Sequence, residues 1–312
     1  MKPAESTRCS TKASTHHEQR SSEAALTFWL PLAYEDELLC GVLERAARRS
    51  AMKLRLTALL ALGQATACHS QFPKQVPRFC VNMRLDPSEG KRLVREHTSY
   101  PLIAPFLTPE NRIRLLCWML DDCRRLGRPG SRIFTGTHYK TYRFCPRCFE
   151  EQEARSGERY WRRMWQYPQL AVCPVHGTPL WDTQEPFQGI SGSTRVISPY
   201  AVNCAVQLAP GPHDGEVLAA LNDLLGEPLP LPSPEQWKQA YEALCRGRTH
   251  DEIDEAALRY WGSRWMEANH IRRTTDLLRG RDFHAWWMHL TLIKALNPTM
   301  GMGDLIRFAV SN

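Results

Sequence analysis

Apolar residues recur at helical spacing through the first third of the chain. In residues 35–49 they share one stripe of a helix, formed by Leu38, Leu39, Val42, Leu43 and Ala46. A second helix is expected over Leu54–Ala67. Prolines at positions 73, 77 and 87 predict a loop over residues 68–87.

A further helix is expected to start at Thr108, because threonine caps helices well and Pro109 suits the first helical position. Its apolar pattern continues to Gly127, where glycine followed by Pro129 predicts the end of the helix. Residues 26–130 are therefore expected to form a helical N-terminal domain. Residues 1–25 are polar, lack an apolar segment and predict a disordered leader.

The middle of the chain has a different character. Residues 131–182 hold clustered cysteines, aromatic residues and turn residues, which predict a small irregular module. Residues 183–232 are rich in proline and predict a connector, interrupted by one short helix near Asp214–Leu225.

Helical signals return in residues 233–312. Capping-box patterns begin at Ser233 and Thr249, and Asp282 is suited to cap a helix that carries Trp286. The fold class expected from the whole pattern is mainly α, with helical regions at both ends and the irregular module embedded between them.

Composition and charge narrow the class of protein. Hydrophobic residues make up 43% of the 312 positions, as in ordinary globular proteins. No apolar stretch reaches the roughly 18 residues of a membrane span. The net charge of +7 comes from 32 arginines and only 8 lysines. Arginine binds phosphate in a bidentate manner, but a GC-rich genome explains the same excess equally well.

The cysteines point to a metal site. Their number, 11, is odd, and no secretion signal is visible, so a disulfide framework is disfavoured. Cys145-Pro-Arg-Cys148 is followed after 24 residues by Cys173-Pro-Val-His176-Gly177. Each pair lies on a short turn, and together they form a complete tetrahedral zinc set, as in zinc-ribbon-like modules. Chance spacing or a redox pair is the alternative.

Four protein ligands close a zinc site, which disfavours catalysis because a catalytic zinc keeps one position open. A zinc deaminase would carry H-x-E before its cysteine pair, whereas His250-Asp251-Glu252 comes after it. One structural Zn²⁺ per chain, held by Cys145, Cys148, Cys173 and His176, is therefore expected, and no catalytic residue is assigned.

Basic and aromatic residues alternate between the two halves of this motif. Trp161 and Trp165 are expected to be core residues, whereas Arg162 and Arg163 suit either the core or a phosphate backbone. A second basic stretch starts at Arg272 and suits either a helix-turn-helix or a solvated face. The candidate DNA contacts are Lys140, Arg143, Arg147, Arg162, Arg163, Arg272, Arg273, Arg279 and Arg281.

Residues 144–180, with C-P-x-C, a W-x-x-x-W segment and C-x-x-H-G, resemble the core of the TniQ family. Residues 30–50 resemble the opening of that family, except that Cys40 and Gly41 stand where a small serine is usual. Residues 97–107 are similar to the corresponding stretch of TnsD-type target selectors, which direct heteromeric transposons to fixed sites.

The resemblance implies an adaptor rather than a transposase. Such proteins mark a double-stranded DNA target and recruit the AAA+ ATPase TnsC, here through residues 26–130. It implies the same four zinc ligands and a cytoplasmic, nucleoid-associated bacterial protein with no membrane contact. The alternatives are an adaptor for a CRISPR effector complex, a zinc-bearing transcription regulator and, less favoured, a zinc hydrolase.

Overall fold

The computed structural model describes residues 28–63, 71–120, 141–186, 197–202, 204–279 and 285–311, without the side chain of Arg279. The predicted leader and the predicted boundary at 130/131 lie outside these residues, as does Asp282. The mainly helical fold class is confirmed.

The secondary-structure elements in the described part of the N-terminal region are helices, joined by irregular segments. They are α1 (Leu39–Arg49), α2 (Leu54–Leu62), α3 (Val76–Asn82), α4 (Gly90–His97), α5 (Tyr100–Ile103) and α6 (Pro109–Leu120). Helix α6 begins as predicted, with the backbone N–H of Asn111 donating to Thr108 Oγ1 over 3.3 Å.

Helix α3 lies inside the segment where a loop was expected, and that prediction was wrong. Pro77 stands in the first turn of the helix, where a missing N–H costs no intrahelical hydrogen bond. Buried Val76 and Phe79 then pack into the core, so tertiary packing supplies what the local sequence does not.

A small antiparallel sheet occupies the middle of the molecule. Strand β1 (Thr141–Phe144) pairs with β2 (Trp181–Pro186), which pairs with β3 (Val206–Gln207). Helix α7 (Pro146–Ser156) follows β1 directly. Strand β2 runs across the domain boundary expected at residue 182, so the proline-rich segment contributes to the sheet.

The C-terminal region contains α8 (Asp214–Leu225), α9 (Pro234–Leu244), α10 (His250–Ala268), α11 (Trp286–Leu296) and α12 (Met302–Ser311). Both predicted capping boxes form, at Ser233 for α9 and at Thr249 for α10. Helix α10 packs against α11, and α9 packs against α12.

One continuous hydrophobic core joins these regions, with Leu43, Trp161 and Leu290 all among its fully buried members. The segment before α1 also shares backbone hydrogen bonds with the middle region: Leu38 N–H donates to the Trp161 carbonyl over 3.1 Å, and Arg163 N–H donates to the Asp36 carbonyl over 2.7 Å. No helix among the described residues is long and apolar enough to cross a membrane.

Candidate metal centre

Two short turns bring the four predicted ligands together. Cys145 follows β1 and is the N-cap residue of α7, whose first turn carries Cys148. Cys173 and His176 lie in a tight turn closed by hydrogen bonds from Cys173 N–H to Thr178 O (2.7 Å) and from Gly177 N–H to Cys173 O (2.8 Å). Gly177 has φ +62°, a left-handed conformation that favours glycine.

The ligand atoms have the spacing of a tetrahedral site. His176 Nδ1 lies 3.2 Å from the Sγ of Cys148, 3.5 Å from that of Cys145 and 3.7 Å from that of Cys173. The Sγ atoms of Cys148 and Cys173 are 3.6 Å apart. With Zn–S near 2.3 Å and Zn–N near 2.0 Å, the edges of a regular tetrahedron are about 3.5–3.8 Å. These four residues could therefore hold one metal ion.

The chemistry of the donor atoms supports a soft cation. All three cysteines are buried and unpaired as disulfides. Hydrogen bonds from Cys148 and Cys173 lower the pKa of Cys145, so one thiol of the group ionises readily, and Cys145 in turn raises the pKa of Cys148. A bound cation would relieve this crowding of sulfur atoms, and three thiolates with one imidazole suit zinc far better than calcium or magnesium.

Glu151 contacts His176, one of the four candidate ligands, from outside the group. Its Oε1 lies 2.8 Å from His176 Nε2, while the other ring nitrogen of His176 faces the cysteines. A carboxylate in this place fixes the tautomer and orientation of a ligating imidazole. Glu151 was missed from the sequence, although its position three residues after Cys148 places it on the same face of α7.

Replacing Glu151 with glutamine is expected to weaken metal affinity by about 10–100-fold, the usual cost of losing such a partner. The fold should persist, because Glu151 is 61% exposed at its side chain. Competition with a chromogenic zinc chelator measures the change. The neighbouring exposed Glu150 gives the matched variant, Glu150→Gln, which should retain the affinity of the wild type; equal affinities for both variants would refute the role of Glu151.

A buried charge cluster lies between α1 and the metal-binding region. Arg45, 1% exposed, donates from Nε to Glu37 Oε1 and from Nη1 to Glu158 Oε1, each over 2.7 Å. Arg48 and Arg49 also donate to Glu158 Oε2, both over 3.2 Å. This cluster was not predicted from the sequence.

The carboxylates of the cluster differ in their acidity. Complete burial raises the pKa of Glu37 to about 7, although Arg45 opposes the shift. Burial also acts to raise the pKa of Glu158, but the hydrogen bonds and charges of Arg49 and Arg45 outweigh it and lower that pKa to about 2. The cluster therefore depends on its arginines to keep Glu158 charged.

Several arginines proposed as DNA contacts are held inside the protein. Arg163, 5% exposed, donates to Asp36 Oδ1 over 2.9 Å and to two backbone carbonyls of α4 and its C-terminal end. Arg143 donates to the carbonyls of Tyr167 and Leu170, each over 3.1 Å. The side chain of Arg162 is 15% exposed and lies 3.7 Å from Glu35.

These three side chains are mostly buried and contact other parts of the protein. Trp161 and Trp165 are completely buried, which confirms the prediction that they are core residues. Of the other candidates, Arg147, Arg272 and Arg273 are exposed. Lys140, Arg281 and the side chain of Arg279 lie outside the described residues.

Comparison with known proteins identifies the region that contains the metal centre. The sequence model of the TniQ family matches residues 29–180. The chain is also 27% identical over 242 residues to the transposon Tn7 transposition protein TnsD of Escherichia coli. That match covers 69% of this chain and 44% of TnsD, so the chain spans less than half the length of this curated relative. Residues 29–180 therefore form a TniQ domain, and this domain carries the Cys₃His group.

Proposed function

We propose that this protein selects a target site for a heteromeric transposon, binding double-stranded target DNA and recruiting a TnsC-type AAA+ ATPase. The observation that carries the proposal is the TniQ domain in a chain similar to TnsD, a transposition protein. Such an adaptor needs no catalytic group of its own. It acts in the bacterial cytoplasm, at the nucleoid.

The ion in the Cys₃His group is proposed to be a single structural Zn²⁺. The donor set, the tetrahedral spacing and the closed coordination support this assignment. The role of the ion is to hold the turn at Cys173 against the start of α7, which fixes the segment that carries Glu158 and Arg163. The zinc would thereby support the surface between the N-terminal helices and the middle of the chain.

DNA binding is proposed to come mainly from contacts between exposed arginines and the phosphate backbone. Arg147, Arg272 and Arg273 are the candidates that the described structure leaves exposed. A net charge of +7 over 312 residues is too small for the whole surface to bind DNA tightly. The affinity for DNA therefore requires a local cluster of basic residues.

Neutralising Arg272 and Arg273 together to glutamine is expected to flatten the dependence of log affinity on log salt by about two, since each phosphate contact contributes about 0.9. The loss of affinity should be similar for target and random DNA, because phosphate contacts do not specify sequence. Fluorescence anisotropy over a series of salt concentrations measures both quantities.

Arg259→Gln, on the exposed face of α10, is the control for a change in charge alone. Arg259 is 75% exposed and already pairs with Glu255 over 3.0 Å. An unchanged slope in the double variant would remove these two arginines from the interface. A loss confined to the target sequence would mean that they contact bases.

The surface facing the ATPase is proposed to lie on the N-terminal helices. Helix α2 exposes Leu56, Leu59 and Leu60 by 45%, 48% and 42%, which is unusual for neighbouring leucines on one helix. A fragment starting near residue 131 would be a poor test, because Arg163 and Glu158 need partners from α1 and the segment before it.

Leu59→Glu is therefore the sharper test, and it is expected to weaken binding of the cognate ATPase at least about tenfold, as for a central interface residue. Biolayer interferometry with the ATPase from the same transposon measures this. Leu258→Glu is the matched control, since Leu258 is 49% exposed on α10. If both variants bind as the wild type does, this surface does not contact the ATPase.

A further inference from the structure

An aromatic cavity lies where the TniQ domain meets the C-terminal helices. Its volume is about 510 Å³, within the roughly 300–1,000 Å³ of small-ligand sites. Buried Tyr167 of the TniQ domain and buried Trp261 and Trp286 of the C-terminal helices line it, and exposed Arg264 and His270 stand at its rim. We call it the tryptophan pocket.

The local backbone of α10 shapes one wall of the pocket. Gly262 has φ +77° and ψ 158°, a conformation that side chains other than hydrogen rarely allow, and it kinks the helix. The rings of Trp261 and Trp265, on either side of this kink, stack with centroids 4.4 Å apart. The indole N–H of Trp261 donates to the Thr291 carbonyl over 2.9 Å, and that of Trp265 donates to Thr291 Oγ1 over 3.2 Å. Neither N–H group is therefore free to bind a ligand. What the wall offers a ligand is aromatic surface.

The polar groups of the pocket restrict the ligand further. Gln169 donates from Nε2 to Asn269 Oδ1 over 3.1 Å, and its buried Oε1 has no hydrogen-bond partner among the described residues. Asp214 is the one carboxylate among the described lining residues, and its oxygens already accept from the N–H groups of Ala171 and Gly211. A cationic ligand would therefore have to share this one carboxylate with those two N–H groups.

We infer that the tryptophan pocket receives an unstacked base of bound DNA. A base is planar and aromatic, which suits a wall of aromatic surface, and it is tethered to phosphates that attract Arg264 at the rim. The exposed Arg272 and Arg273 follow His270 by two and three residues, which extends the positive charge along the chain from the rim. The inference rests on the proposed DNA binding and adds to it a specific contact with one nucleotide.

The test compares two duplexes of equal length and composition, one fully paired and one with a short mispaired bubble at its centre. In the paired duplex, binding must include the free-energy cost of unpairing a base, whereas the bases of the bubble are already unpaired. The wild type should therefore bind the bubble at least roughly tenfold more tightly. Trp265→Leu should bring the two affinities within about twofold of each other.

Trp29→Leu is the matched control, because Trp29 is 48% exposed and lies outside the pocket, and it should keep the full preference. Thermal melting of each variant verifies its fold. Equal wild-type affinity for the two duplexes, with ordinary salt-dependent binding, would overturn the inference and leave the DNA-binding proposal intact. Absence of binding to either duplex would overturn both. A Trp265→Leu variant that keeps the preference but loses the ATPase would assign the pocket to a protein segment and refute the base contact.

Discussion

Replacing Cys173 with serine is expected to reduce bound zinc from about one ion per chain toward zero and to unfold the middle of the molecule. Structural zinc sites contribute about 10–16 kcal/mol at pH 7, whereas whole proteins are stable by about 5–15 kcal/mol. Even partial loss of this contribution should lower the melting temperature by at least about 10 °C, at 2–4 °C per kcal/mol. Metal analysis and circular dichroism on the purified chain measure the two effects.

Cys204→Ser is the control for this prediction, since Cys204 is exposed and outside the Cys₃His group. It should keep both zinc and fold. Mild acid should mimic the ligand variant, because protonated thiols release the ion together with helical signal. A Cys173→Ser variant with full metal content and an unchanged melting curve would contradict the assignment of this residue as a ligand.

Arg45→Met is expected to destabilise the protein by about 3–5 kcal/mol, the usual cost of removing one member of a buried ion pair. Glu37 would then be completely buried without a counter-ion, and Glu158 would keep only the partly exposed Arg48 and Arg49. Denaturant unfolding at pH 8 measures the loss. The folded-state pKa of Glu37, already raised, should rise further, so the variant should lose stability as pH increases. Its deficit should therefore be smaller at pH 5 than at pH 8.

Arg92→Met on α4 provides the comparison on a surface. Arg92 also contacts two carboxylates, those of Glu89 and Glu96, but its side chain is 43% exposed. Its loss should cost no more than about 1 kcal/mol. Similar losses for the two variants would mean that the buried cluster contributes no more than a surface ion pair.

Local signals in the sequence were sufficient for much of the fold. The capping boxes at Ser233 and Thr249 were predicted correctly because each depends on residues three positions apart. The metal ligands were placed together by the same kind of local reasoning, since each pair lies on one turn. Glu151 could have been predicted in the same way, because its spacing of three residues from Cys148 places it on the same face of α7.

The roles of the arginines could not be read from the sequence. In the sequence, Arg163 cannot be distinguished from an exposed arginine that contacts phosphate. Only the folded structure, in which it contacts Asp36 and the carbonyls of α4 and its C-terminal end, identifies it as buried. The same holds for Arg45, whose partner Glu158 lies 113 residues away. Which charged side chains are buried depends on how segments distant in the sequence pack together. The periodicity of apolar residues along the chain does not determine that packing.

The separation of Arg45 from Glu158 also bears on how the protein is made. At about 5–20 residues per second, the ribosome needs roughly 6–23 s to extend the chain by the 113 positions from Arg45 to Glu158. During that interval helix α1 can form, but its central arginine has only Glu37 as a buried partner, and the turn that carries Cys173 does not yet exist. The nascent N-terminal helices therefore stay incompletely packed until the segment with the Cys₃His group has been synthesised. If the Cys₃His group holds the proposed zinc, the supply of zinc during synthesis becomes a condition for completing the packing of helices that were translated earlier.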